Sequence, residues 1–89
     1  MNYYEQTIAH RRQNFVFSMG IYDGRVGMQR ALCMDMIRHL NHLWIPKPYL
    51  EAYHLRKKLC DDIQAVYLML REGQVVTKES LIGDKKWLS

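Results

Sequence analysis

Apolar residues between Pro48 and Gly73 recur at helical spacing and set out one long amphipathic helix. Ala52, Leu59, Ile63, Val66 and Leu70 follow one another in steps of seven, four and three, which lays a continuous seam along one side. Tyr53, Cys60 and Tyr67 widen the seam. Pro48 fits a first helical position, where a missing N–H costs nothing, and Gly73 fits the left-handed residue just past a helix end.

A second helix is predicted over about Val26 to Trp44. Leu32, Cys33, Met36, Ile37, Leu40, Leu43 and Trp44 fall within an arc of about 140° at 100° per residue. It breaks at Ile45-Pro46-Lys47-Pro48, because the residue before each proline is pushed out of the helical region. A corner so short and stiff folds the two helices back as an antiparallel pair. If the pair pivots between Pro46 and Lys47, Cys33 faces the level of Cys60, Leu40 that of Tyr53, and Val26 that of Tyr67.

The first helix runs from about Tyr3 to Met19, with Tyr4, Ile8, Phe15 and Met19 on one face and Arg11 or Arg12 interrupting it. Gly20 is its expected end. A competing pattern lies over Phe15 to Met28, where Asp23-Gly24 is a hairpin turn signal between β-prone segments. Gly20 and Gly27 weaken strands there, and a loop is the preferred reading. After Gly73, Thr77 is a fair N-cap for a brief turn through Leu81 and Ile82. The fold class is therefore all-α. It is a single small three-helix domain, with a helical hairpin over about 26–44 and 48–72, a preceding N-terminal helix and a short C-terminal turn.

Length bounds the core, since 89 residues make one domain with modest stability. A hydrophobic fraction of 48% with 25% charged residues argues against disorder. No apolar run approaches the roughly 18 residues of a membrane span, so no membrane partner is expected. The start, MNYYEQTIAHRR, does not read as a signal peptide, and a cytoplasmic protein is the default. The net charge of +4 permits an acidic partner or a phosphate backbone and selects neither.

Candidate chemistry is sparse. Cys33 and Cys60 at one level read best as small buried hydrophobes rather than a disulfide or zinc pair. Asp35, His39 and His42 share one outward helix face, but an i, i+4 pair and histidines near a helix C-terminus explain them without a metal. No metal or other cofactor is implied. There is no nucleophile elbow, phosphate loop, HExxH or CxxC, and Asp61-Asp62 diverge around a helix, so an enzyme is not expected.

Two binding readings remain. Basic residues form short clusters: Arg11 and Arg12 beside Tyr3 and Tyr4, then Arg30 and Arg38, then Arg56, Lys57 and Lys58, then Lys85 and Lys86 beside Trp87. Such clusters can hold phosphates and stack bases, which makes a DNA- or RNA-binding regulator the alternative reading. The leading reading is protein recognition. Six methionines and ten aromatics exceed what so small a core hides. Met34 and Met69 fall off the main seams, while Tyr3, Tyr4, Tyr67 and Trp87 suit anchor or rim positions. A small regulator or inhibitor of a larger protein follows, with self-association as a variant. Its general character is that of small phage and mobile-element regulators, and no family motif is recognised.

Overall fold

A computed structural model of the chain describes residues 2–83. Four helices follow one another: α1 (Tyr3–Ile21), α2 (Val26–His42), α3 (Leu50–Arg71) and the short α4 (Lys78–Gly83). No strand occurs among the described residues. The all-α class and the helical hairpin stand, with the C-terminal turn closing as a fourth helix.

Contacts at both ends of the hairpin define its direction. Near the corner, the Arg56 guanidinium donates to the Leu43 carbonyl at 2.7 Å and the Tyr53 hydroxyl donates to the Ile45 carbonyl. At the far end, Gln29 near the start of α2 donates to Val76, just past α3. α2 and α3 are therefore antiparallel. α1 runs alongside α3 in the same direction, since Tyr4 packs on Tyr49 and Arg12 meets Asp62. α4 packs on α1.

The seam read from spacing is the core. Ala52, Leu59, Ile63, Val66 and Leu70 are buried, and they meet Ile8, Phe15 and Met19 of α1 and Cys33, Met36 and Leu40 of α2 in one cluster. Tyr53, Cys60 and Tyr67 are half-buried at its edge. Thr77 and Ser80 exchange side-chain and backbone hydrogen bonds of 3.0 and 3.1 Å, a capping box that starts α4. Asn2 caps α1 by accepting from the Glu5 N–H at 2.9 Å.

Three boundaries differ from expectation. Gly20 does not end α1, which continues to Ile21; the turn is Tyr22–Arg25, with Gly24 at φ 78. Asp23-Gly24 thus marks a helix–helix corner, and the expected long loop is four residues. Gly20 serves a close approach instead, because a Cβ there would lie 2.9 Å from Lys78 Cβ. Pro48 is not the first helical residue. The Tyr49 N–H bonds the Pro46 carbonyl at 3.0 Å, so Lys47 and Pro48 form a turn and α3 begins at Leu50. Gly73 does follow α3 in the left-handed region at φ 86.

Trp44 is the third correction, at 73% exposed rather than in the core. α2 ends at His42 and Leu43 is extended, so the 100° step stops applying there. Ile45 is buried in its place.

The register also shifts. Cys60 Sγ lies 3.8 Å from Asn41 Oδ1, so Cys60 faces Asn41 and not Cys33. Cys33 is about two turns, or ~12 Å, farther along α2. The cause is the corner: Leu43 and Ile45 run beside Arg56 and Tyr53. Extended backbone rises about twice as far per residue as a helix, so this segment covers the first turns of α3 and α2 pairs only farther along α3. The side-by-side thiols fall with that shift. Cys33 and Cys60 are free thiols.

Candidate partner-binding surface

The Asn41–Cys60 contact fixes which residues share the outer face of the hairpin. One heptad back along α2 is Met34, and one heptad forward along α3 is Tyr67. In an antiparallel pair those two shifts bring both residues to one level on the same side. Met34 is 52% exposed and Tyr67 is half-buried, with Ile37 half-buried between Met34 and Asn41. Arg71, one turn past Tyr67, carries its guanidinium 5.9 Å over the Tyr67 ring. Arg30, one turn before Met34, is exposed at the same end of α2. The face is a shallow apolar strip with arginines at one end.

Toward the corner the same face becomes a groove of about 460 Å³, bordered by Asn41, Tyr53, Arg56, Lys57 and Cys60. Arg56 is half-buried, lies 5.2 Å over the Tyr53 ring and closes the corner through Leu43. Lys57 pairs with Asp61 at 3.0 Å.

The remaining candidates are dispersed. Tyr3 is exposed and edge-on to Tyr4 at 5.3 Å; Tyr4 is half-buried against Tyr49 at 4.9 Å. These aromatics sit at the corner end of the bundle, away from Tyr67. Met69 is exposed but lies two residues beyond Tyr67, about 200° around the helix, and so belongs to the opposite flank. Trp87, Lys85 and Lys86 lie outside the described residues.

Among the basic candidates, Arg12 is a correction. It is buried beside Asp62 at 3.9 Å and offers nothing to a phosphate. Arg38 binds Asp35 three residues earlier. Arg11, Arg30 and Lys58 are exposed on three different helices. The basic set therefore divides into structural, paired and exposed members.

Asp35 is engaged by Arg38, and its backbone carbonyl is 2.8 Å from His39 Nδ1, the spacing of a local helix contact. Among the described residues no group of three or more His, Cys, Asp or Glu is placed to hold a metal ion. Burial pushes the Cys33 thiol up to about 12, and burial raises Cys60 against the pull of Arg56. Neither thiol is an activated nucleophile.

Gln29 was hidden from the pattern. It is buried, and its side-chain amide donates to the carbonyls of Met19 at 3.2 Å and Val76 at 3.0 Å, tying α1, α2 and the approach to α4. Its place one turn before Cys33 on the buried stripe was the available signal.

No protein-family model matches the chain, and neither the curated proteins nor the solved structures give a significant match. No helix of the described residues is long and apolar enough to cross a membrane.

Proposed function

We propose that this chain is a small non-enzymatic interaction protein that regulates or inhibits a larger protein by docking on it through the α2/α3 face. The observation that carries this reading is Met34, left half in solvent at the level of a Tyr67 ring that Arg71 caps. An adaptable thioether, an aromatic ring and an arginine are the side chains that anchor protein interfaces. Burial raises both thiols, so neither is activated as a cysteine nucleophile.

Purification of a partner from the native host, followed by reconstitution from the two pure proteins, tests it. Tyr67→Ala with Met34→Ser should abolish the complex while circular dichroism keeps the helical signal. A complex that survives both substitutions contradicts the reading.

A nucleic-acid-binding regulator is the second reading, favoured by one observation: Arg30, Arg38, Arg56 and Lys57 gather on this same face. It is weakened because Arg38 and Lys57 are paired with aspartates and Arg56 is tied to the corner. Such a binder should lose affinity steeply as salt rises. Charge reversal at Arg30 and Lys57 should abolish its binding.

A further inference from the structure

The chemistry of the docking face points to one kind of occupant. This step rests on the docking reading above and names what docks. We propose that the α2/α3 face receives an acidic amphipathic helix of the partner protein.

Two antiparallel helices leave a shallow valley between them; half-buried Ile37 and Tyr67 lie toward its floor, and exposed Met34 stands on its α2 lip. A helix laid in that valley meets anchors spaced by about one turn, which suits apolar residues at i, i+3 or i+4, and i+7. From the Arg30–Arg71 end to the Asn41–Cys60 end is eleven residues of helix, about 16 Å, so about three turns of partner fill it.

The rims carry the sign. Arg30 and Arg38 stand on the α2 side, Lys57 and Arg71 on the α3 side. Their acidic neighbours, Asp35 and Asp61, pair only within their own helices and are exposed, as Arg38 and Lys57 are. Exposed pairs of this type hold weakly, so both cations can exchange to a partner carboxylate at little cost. Among the described residues no carboxylate pairs with Arg30 or Arg71. An apolar floor between cationic rims is complementary to a helix with an apolar stripe and glutamate or aspartate flanks.

The same geometry disfavours the other occupants. A second copy on this face would set two cationic rims together. A nucleic acid would gain phosphate contacts, but it would leave the apolar side chains of Met34 and Ile37 without matching contacts.

The test uses a synthetic helical peptide of about twenty residues with leucines at i, i+3 or i+4, and i+7, and glutamates elsewhere. Its twin carries lysine for every glutamate. Each is titrated into the full isotope-labelled chain and followed by amide shifts. The glutamate peptide should bind at least about tenfold tighter than the lysine twin. Its shifts should centre on Arg30, Met34, Tyr67 and Arg71, and its affinity should fall as salt rises from about 50 to about 300 mM. Arg30→Glu with Arg71→Glu should invert the preference. Equal affinity for the twins, shifts centred elsewhere, or no binding of the glutamate peptide at about 1 mM overturns the proposal. So does a thymidine oligonucleotide that perturbs the same residues at lower concentration than the peptide. A native partner lost on Tyr67→Ala but indifferent to the arginine reversals keeps the docking reading and removes its acidic occupant.

Discussion

Arg12 of α1 and Asp62 of α3 approach to 3.9 Å with side chains 6% and 13% exposed, so a charge pair sits where the helical pattern alone would place an apolar contact. The pair aligns α1 along α3 and takes Arg12 out of the surface chemistry. Charges so withdrawn from water stabilise little in total, yet losing one partner is costly.

Asp62→Ala should lower unfolding free energy by about 3 kcal/mol, because it leaves the guanidinium inside the bundle without its counter-charge. Asp62→Leu combined with Arg12→Met should recover most of that loss. Urea midpoints for Asp62→Leu, Arg12→Met and the double variant measure the coupling. Additive losses would mean that the two side chains act independently.

Gln29→Leu should cost about 1–2 kcal/mol, since it keeps the volume and strips a donor from two buried carbonyls. Hydrogen exchange should locate the damage: amides of α4 and of the segment around Val76 should open before those of α3. Uniform loss of protection would show that Gln29 is a filler and not a tie.

Gly20→Ala sets helix propensity against packing. Alanine favours a helix interior by about 1 kcal/mol, but its Cβ would lie 2.9 Å from the base of the Lys78 side chain. That base cannot swing away as a side-chain tip can, so α4 must shift. A net loss of about 1 kcal/mol is expected, with faster proteolysis near α4. A thermal midpoint above that of the wild type would contradict this account of Gly20.

The Cys33 thiol, held neutral by burial, ties stability to alkaline pH. Its folded pKa is raised from 9.0 to about 12, so folding favours the protonated form. The unfolded chain loses that proton above about pH 9 while the folded chain keeps it, and stability falls from there toward pH 12. Cys33→Ala should flatten that decline in urea titrations between about pH 9 and 11, whatever it costs in packing at neutral pH. In thiol labelling at pH 8, half-buried Cys60 should react first and Cys33 only on unfolding.

Much of the fold was legible because burial in this bundle follows helical period. The α3 seam and the inner faces of α1 and α2 sit where spacing puts them. Spacing failed where period stops or where a polar residue occupies an apolar slot. Trp44 turned outward because Leu43 is extended, and Gln29 and Arg12 went inward because each found a partner beyond the reach of local sequence. The exposure of Met34 was legible from its place off the seam. Its level with Tyr67 near Arg30 and Arg71 was not, since that depends on a register set by how far the extended corner runs along α3.

The account turns on the α2/α3 face being the one that a partner covers. Photo-crosslinking in the native host tests this directly, with benzoylphenylalanine placed at Met34 in one strain and at Val75 in another. Val75 is 79% exposed and lies beyond the far end of α3. The account predicts one discrete heavier adduct from position 34 and none from position 75. An adduct from position 75 with none from position 34 would contradict it.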